Sequence, residues 1–313
     1  MIFAFCNGKP HPYWIYKTSN PVPGSNYLKR NFIDPRTRDE TDHIFIPSLP
    51  DDNPLLPDGY IERAFTHMSP EMRAMLRDGN WDVDASEFVI VPLELLEAAT
   101  VDRIDDRRPV AAGIDIGLGR PDKTVVAFAN AAGQIWIEET FEEYDTMRQV
   151  DRLSKLVAPV VASKGKVWID QGSVGKGVSD ALRREFGSRS IVGVMFGEAA
   201  EEERQPDGSK QRVHNLKRDQ LYFWLRNDVM QEDVEIERSD ELTEELENTY
   251  YLPTDRYLKI EPKDEIKRRI ARSPDSADAV VLCNAARRKR SGAQQLPNTR
   301  RKTRKTSIIE GYY

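Results

Sequence analysis

The chain has 313 residues, of which 39% are hydrophobic and 31% are charged, and its formal net charge is −6. This length and hydrophobic fraction are typical of one large domain, or two ordinary ones, with a packed core. The acidic balance argues against a generally basic nucleic-acid coat, and no apolar run approaches the roughly 18 residues that a membrane span requires. We therefore expect a soluble protein without a membrane partner.

The cysteines and histidines exclude two common kinds of site. Cys6 and Cys283 are the two cysteines and lie at opposite ends of the chain, so they predict neither a disulfide framework nor a zinc site. The four histidines lack the spacing of metal ligands. The N-terminus has neither the basic segment nor the cleavage site of a signal peptide. These features fit a reducing cytoplasm.

Proline and turn residues are concentrated in the first third of the chain, and two short helical patterns lie among them. Apolar residues recur at spacings of three and four over 61–68 and again over 72–76. A further helical pattern and a charged linker follow and end near Pro109. We predict that residues 21–107 form a small linker subdomain.

After this region the pattern changes to strands and helices in regular alternation. Residues 110–117 predict a buried strand, and turn residues from Asn130 to Gly133 predict a hairpin of the next two strands. The following elements are predicted: strands 124–130 and 134–141, helix 145–163, strand 166–170, helix 178–187, strand 191–197, helices 216–230 and 240–248, hairpin 250–262 and helix 273–288. This order predicts an α/β fold with a ribonuclease-H-like mixed sheet flanked by helices. We place that domain at residues 108–290.

Acidic residues interrupt three otherwise apolar segments. Asp115 lies in the first strand of the domain, and Asp170 ends the fourth. Asp278 lies in the first turns of the last helix, with Asp275 three residues earlier on a similar face. In the inferred topology the first and fourth strands are neighbours and the last helix packs across them. The carboxylates are therefore expected to converge.

Convergent carboxylates repel one another unless cations neutralise them. A cluster of oxygen ligands alone implies hard cations, Mg²⁺ or Mn²⁺. Two such ions about 4 Å apart activate a water and stabilise the leaving oxygen of a phosphodiester. We predict Asp115, Asp170 and Asp278 as catalytic metal ligands, with Asp275 as a further candidate.

Each acid taken alone also fits a structural role. A strand-end aspartate commonly accepts a hydrogen bond from a loop amide, which would explain Asp115 or Asp170. Ser273 and Pro274 resemble the start of a helix with Ser273 as its N-cap, and Asp275 would then favour the helix dipole. The chemistry is predicted only from the acids together.

Two glycine-rich loops, after the first and fourth strands, carry lysines that are candidates for phosphate contact. These are Lys123 and Lys176. The second loop lacks the complete phosphate-loop pattern, because Gly177 stands where that pattern requires Ser or Thr. We expect these loops to approach DNA phosphates, and simple tight turns are the alternative.

The C-terminal stretch 287–305 is rich in Arg and Lys and contains no acid. Such a segment is typical of an arm that binds phosphates or an acidic protein surface, and a solubilising tail is the alternative. We predict that residues 291–313 form a disordered basic tail. The candidate DNA contacts are at the start of the stretch 287–305, and they are Arg287, Arg288, Lys289 and Arg290.

Several segments together resemble the large terminase subunit of tailed bacteriophages, over nearly the whole chain. Thr18–Pro21 resembles the coupling motif that closes the family's ATPase core, and 56–82 resembles the linker that follows it. The segments that resemble the nuclease-domain signatures are 113–124, 167–180, 215–226 and 273–279. The resemblance implies that Asp115, Asp170 and Asp278 are the first, second and third catalytic acids.

This resemblance implies a metal-dependent endonuclease that cuts concatemeric viral DNA by two-metal phosphodiester hydrolysis. The implied partners are double-stranded viral DNA, a small terminase subunit and the portal protein, in the host cytoplasm and transiently at the procapsid portal. No Walker A or B segment precedes Thr18. Residues 1–20 are therefore interpreted as a remnant of the ATPase core. We expect no ATPase activity here, because of truncation, a split gene or an ATPase on another chain.

Two other functions share part of the pattern. ATP-binding enzymes of the actin and sugar-kinase superfamily have the same core, and 113–124 resembles their first phosphate loop. Those enzymes require two facing copies of the core, whereas the sequence predicts one. A docking module of the packaging complex without catalysis is the other alternative, and the intact set of acids argues against it.

Overall fold

The computed structural model divides the chain into two compact units between Phe88 and Val89. The described residues are 2–5, 15–18, 21, 28–38, 43–65, 70–83, 88–119, 122–172, 175–204, 208–253 and 257–289. None of the helices in these ranges is both long and apolar enough to cross a membrane.

The N-terminal unit contains a three-stranded antiparallel sheet in the order β2-β1-β3. Its elements are β1 (Ile2–Phe5), β2 (Ile15–Thr18), a π-helical turn (Lys29–Ile33), β3 (His43–Ile46), a 3-10 turn (Pro50–Asp52), α1 (Tyr60–Phe65) and α2 (Pro70–Leu76). Phe32 and Trp81 are buried in its small core. Of the segment that resembles the coupling motif, Thr18 is the last residue of β2, whereas Ser19 and Asn20 lie outside the described residues.

The larger unit is built on a seven-stranded mixed sheet in the order β4-β12-β7-β6-β5-β8-β9. The strands of this sheet are β4 (Thr100–Val101), β5 (Ala111–Asp115), β6 (Thr124–Ala129), β7 (Gln134–Phe141), β8 (Lys166–Asp170), β9 (Ile191–Val194) and β12 (Glu235–Glu237). β5, β6 and β7 are antiparallel neighbours, and the outer strands join them in parallel on both sides. The predicted mixed sheet is confirmed.

Helices cover both faces of this sheet. The helices of this unit are α3 (Leu93–Ala99), α4 (Thr146–Ala162), α5 (Gly175–Phe186), α6 (Lys217–Met230), α7 (Asp240–Glu247), α8 (Lys263–Ile270) and α9 (Asp275–Arg288). The unit also contains two hairpins, β10 (Glu203–Arg204) with β11 (Lys210–Gln211) and β13 (Tyr251–Pro253) with β14 (Leu258–Ile260). One core layer joins the sheet to α4 and α5, and the other joins it to α6 and α9. The central strands β5 and β6 are therefore buried on both faces.

Five elements of this unit have no sequence prediction, namely β4, β10, β11, β12 and α8. β12 and β4 have three and two residues, too few to produce an alternating pattern. α8 is strongly polar, and only Ile266 and Ile270 are buried on it. Because β4 precedes Pro109, the predicted linker segment 21–107 contributes an edge strand to the larger unit.

Helix α9 lies on the middle of β5 at unusually short range. A Cβ atom at Gly113 would be 2.1 Å from both the carbonyl oxygen of Ala279 and the amide nitrogen of Cys283. The backbone of the helix therefore touches the backbone of the strand, which only glycine permits at this position. This contact fixes where the first turn of α9 lies relative to the end of β5.

We predict that Gly113→Ala destabilises the protein by about 1–3 kcal/mol or more, because the added methyl group overlaps the backbone of α9. Thermal unfolding followed by circular dichroism measures this change. Gly177→Ala is the matched control, since a Cβ there meets no described atom within 4 Å. A wild-type melting temperature for Gly113→Ala would contradict the close contact.

Candidate metal centre

The ends of two neighbouring parallel strands carry the first two acids. β5 and β8 pair from Ala111 with Lys166 to Ile114 with Ile169. Asp115 and Asp170 are the next residues on each strand, so they lie side by side at one edge of the sheet. Parallel strands present their carboxyl ends at the same edge, and ligand sites commonly lie there.

Helix α9 brings the other two acids to the same edge. Asp275 and Asp278 both lie in its first turn, and both are buried, with relative exposures of 7% and 0%. The charges of both acids act on Asp115. The structure therefore brings together the four predicted acids from β5, β8 and α9.

The start of α9 differs from the predicted N-cap at Ser273. The helix begins at Asp275, and Pro274, whose side chain has no hydrogen-bonding group, occupies the cap position. Instead, Glu245 of α7 accepts a 2.7 Å hydrogen bond at Oε2 from the Ala277 amide. A side chain from another helix thus satisfies this free N–H group. Burial raises the pKa of Glu245 to about 8.

The ammonium group of Lys263, the first residue of α8, lies among the acids. Its Nζ is 2.8 Å from Oδ2 of Asp278 and 3.6 Å from Oδ1 of Asp275. Within the described ranges, no three Asp, Glu, His or Cys side chains are already arranged to hold a metal ion. The cluster is therefore a set of acids neutralised by a protein cation, not a preformed metal cage.

Burial and nearby charges raise the pKa values of some of the acids and lower that of another. Burial raises the pKa of Asp115 well above its ordinary value, Lys263 opposes this shift, and the other three acids add to it. Burial also raises the pKa of Asp170. For Asp278 burial is outweighed by Lys263 and Arg218, which lower its pKa. The ionised form is thus favoured at Asp278, and further positive charge would favour it at Asp115 and Asp170 as well.

The glycine-rich loop after β8 lies against Asp170. The Gly172 amide donates a 3.0 Å hydrogen bond to Oδ1 of Asp170. A Cβ at Gly175 would be 1.8 Å from the Asp170 carbonyl oxygen, so the start of α5 is also in close contact. The loop thus orients the second acid. Ser173 and Val174 lie outside the described residues.

The other predicted basic contacts lie in different surroundings. Lys123 is on the loop after β5, and its Nζ is 3.6 Å from Oε1 of Glu241. Lys176 is exposed in the first turn of α5. Arg290 and residues 291–313 lie outside the described residues. Contact of these residues with DNA stays a prediction.

The basic residues at the end of α9 pair with acids of the same unit. Arg287 and Arg288 both bind Asp228, and Nη2 of Arg287 is 2.8 Å from its Oδ2. Nζ of Lys289 lies 3.0 Å from Oε2 of Glu201. These three cations stabilise the end of the helix, and any contact with DNA would have to compete with these pairs.

Three further side chains of the cluster escape prediction from sequence. Lys263 is one of several basic residues in α8, and no local pattern distinguishes it from the others. Arg218 and Tyr222 of α6 both contact Asp278. The one feature that could have pointed to Arg218 and Tyr222 is their spacing, because it places two polar groups one turn apart on a helix that is buried almost all round.

Comparison with known proteins gives structural matches only: no family model and no curated protein matches the sequence. A variant nuclease domain of the large terminase subunit gp2 of bacterial virus Sf6, solved with manganese and β-thujaplicinol, is 19% identical, with a TM-score of 0.51 over 63% of this chain and 98% of that one. The same domain solved with manganese alone is 18% identical, with a TM-score of 0.48 over 63% and 98%. The large terminase nuclease from thermophilic phage G20c is 16% identical, with a TM-score of 0.41 over 63% and 98%.

The Sf6 domain is matched over almost its whole length. In this chain the corresponding fold is a central antiparallel trio of strands extended in parallel on both sides and covered by helices on both faces. The chain therefore has the ribonuclease-H-like α/β fold of the large terminase nuclease domains, as the sequence resemblance implies.

Proposed function

We propose that this chain is a metal-dependent DNA endonuclease of a phage packaging terminase. The observation that carries the proposal is the convergence of Asp115, Asp170 and Asp278, from β5, β8 and α9, at one edge of the sheet. The Sf6 nuclease domain that shares the fold was solved with manganese. The proposed substrate is concatemeric double-stranded viral DNA, and the proposed reaction is hydrolysis of its phosphodiester bonds.

The donor chemistry of the cluster fits hard divalent cations. Asp115, Asp170 and Asp278, with Asp275 as a further ligand, offer only carboxylate oxygens, which suit Mg²⁺ or Mn²⁺. Apart from its ion pair with Lys263, Oδ2 of Asp278 is buried without a hydrogen bond in the described part of the chain. Added positive charge would also favour ionised Asp115 and Asp170, whose pKa values are raised.

The protein would contribute mainly by holding the acids in place. Two divalent cations bound by them would activate a water and neutralise the charge on the leaving oxygen of the phosphodiester. β5 and β8 keep Asp115 and Asp170 on neighbouring strands, and the Gly172 amide orients Asp170. Lys263 balances the negative charge before cations bind.

The proposed DNA contacts are to phosphates, because the chain has no resemblance to a base-reading helix or zinc finger. Lys123 lies on the loop after β5 and Lys176 lies in the first turn of α5, which follows β8, and both are candidates for such contacts. The proposed partners are a small terminase subunit and the portal protein. The proposed location is the host cytoplasm, with transient binding at the procapsid portal.

No specific observation favours the alternatives. A kinase-like enzyme requires two facing copies of this core, and the residues that the structure describes form one seven-stranded sheet of this type. If the chain were a docking module without catalysis, it would have no need for four acids near one lysine. The carboxylates repel one another, so this arrangement costs electrostatic free energy.

We predict that Lys263→Met lowers the melting temperature of the metal-free protein, because the acids lose the cation that neutralises them. Mn²⁺ should then raise the melting temperature of this variant more than that of the wild type. Differential scanning fluorimetry in EDTA and in Mn²⁺ measures both effects. Lys267→Met, one turn further along α8, is the control. Equal Mn²⁺ responses in Lys263→Met and wild type would count against Lys263 as the neutralising cation.

We predict that the wild-type protein nicks supercoiled plasmid in Mn²⁺ without any nucleotide, and that Asp170→Asn does not. The variant should remain folded, since it removes one charge from a repulsive cluster. Agarose gels measure cleavage and circular dichroism measures folding. Asp180→Asn on α5, which removes a half-exposed carboxylate paired with Arg183, is the matched control.

Two results would overturn the proposed function. The first is cleavage by Asp170→Asn at the wild-type rate, which would locate the chemistry elsewhere. The second is ATP hydrolysis that depends on Lys176, with no DNA cleavage in any divalent metal. That outcome would show the loop after β8 to be a true phosphate loop.

A further inference from the structure

Asp278 has no exposed surface, and two polar side chains of α6 close one side of it. Arg218 and Tyr222, here called the α6 pair, lie one helical turn apart, so their side chains lie on the same face of the helix. The relative exposure of Tyr222 is 0% and that of the Arg218 side chain is 11%. A carboxylate so far from water stays ionised only where charges and hydrogen bonds replace its hydration.

Tyr222 fixes one oxygen of this carboxylate. Its hydroxyl donates a 2.7 Å hydrogen bond to Oδ1 of Asp278. Burial and the charge of Asp278 raise the pKa of Tyr222 well above its ordinary value, so the hydroxyl remains a donor at neutral pH. Because the ring is held by packing on all sides, the direction of this hydrogen bond is fixed.

Arg218 adds a fixed positive charge on the same side. Its Nε is 3.7 Å from Oδ1 of Asp278. Its Nη1 donates to the Glu261 carbonyl over 3.0 Å, and the guanidinium lies 4.9 Å from the centre of the Tyr222 ring. Nε and Nη2 are buried and make no hydrogen bond within the described ranges. Arg218 therefore acts on Asp278 through its charge, without the bidentate pairing that Arg commonly forms with a carboxylate.

The other oxygen, Oδ2, faces a cation that is held less firmly. Nζ of Lys263 lies 2.8 Å away, and the Lys263 side chain is 35% exposed, three times the exposure of Arg218. A lysine stem that reaches solvent has room to move when another cation arrives. The carboxylate of Asp278 thus has a fixed side, formed by the α6 pair, and an exchangeable side.

We infer that Arg218 and Tyr222 are positioning residues that hold the carboxylate of Asp278 by its Oδ1, with Oδ2 directed towards a divalent cation, whether or not Lys263 remains beside it. The inference rests on the proposed function, since it concerns the same metal centre. Groups that orient metal ligands from outside typically contribute about 10–100-fold to metal affinity or activity.

The test compares Mn²⁺ binding by wild-type protein and Tyr222→Phe, using isothermal titration calorimetry at one pH. Tyr257→Phe is the matched control, because it also removes a hydroxyl that is hydrogen-bonded, in this case to Arg212 over 2.8 Å. We expect Tyr222→Phe to bind Mn²⁺ about 10-fold more weakly or worse, and Tyr257→Phe to bind as the wild type does.

Two further measurements separate positioning from a general structural effect. The Mn²⁺ concentration for half-maximal plasmid nicking should rise in Tyr222→Phe by the same factor as the dissociation constant, while the rate at saturating Mn²⁺ recovers. In EDTA Tyr222→Phe should still unfold in one cooperative transition, with a melting temperature lowered only by the loss of a single hydrogen bond. Arg218→Lys, which keeps the charge, should retain more Mn²⁺ affinity than Arg218→Met.

The outcomes distinguish this inference from the proposed function. Normal wild-type binding with equal affinity in Tyr222→Phe overturns the positioning role alone. Absence of Mn²⁺ binding by the wild type overturns the proposed function, and the positioning role with it. If Arg218→Met does not fold, the Tyr222→Phe comparison decides.

Discussion

The position of Asp275 and Asp278 relative to Asp115 depends on the contact between the backbones of α9 and β5. The missing side chain at Gly113 lets Ala279 and Cys283 approach the strand. Asp278 immediately precedes Ala279, so the same approach delivers its carboxylate to the strand end where Asp115 lies. The helix is buried from Asp275 to Ala286, which leaves it little freedom to move away. A small shift of one helix would therefore separate the acids.

Close approach creates an electrostatic cost that the rest of the site offsets. Four carboxylates at one edge of the sheet repel one another, and burial adds to the cost of their charges. Lys263 and Arg218 supply positive charge from α8 and α6, and the Tyr222 hydroxyl supplies a hydrogen bond. The pKa values of Asp115 and Asp170 remain raised despite these contacts. This residual imbalance supports the proposed binding of further cations.

The central strands β5 to β9 and the convergence of the acids at their edge could be predicted from sequence because their signals are local. Asp115 and Asp170 each interrupt an apolar strand, and the strand order alone places them at one edge. Lys263 could not be predicted, because its role comes from a tertiary contact made by an otherwise ordinary polar helix. The cap that Glu245 provides to α9 likewise joins segments far apart in the chain. The basic residues after Ala286 show no sequence pattern that reveals their ion pairs. Arg287 and Arg288, at the end of α9, are paired with Asp228 of α6.

The proposed function requires that Asp115, Asp170 and Asp278 together bind divalent cations. Calorimetric titration of the wild-type protein and of Asp115→Asn with Mn²⁺ tests it most directly. We expect two bound ions per wild-type chain and a clear loss of affinity in the variant, because the charges of the other three acids all act on Asp115. Absence of binding by the wild type, or equal stoichiometry and affinity in Asp115→Asn, would contradict it.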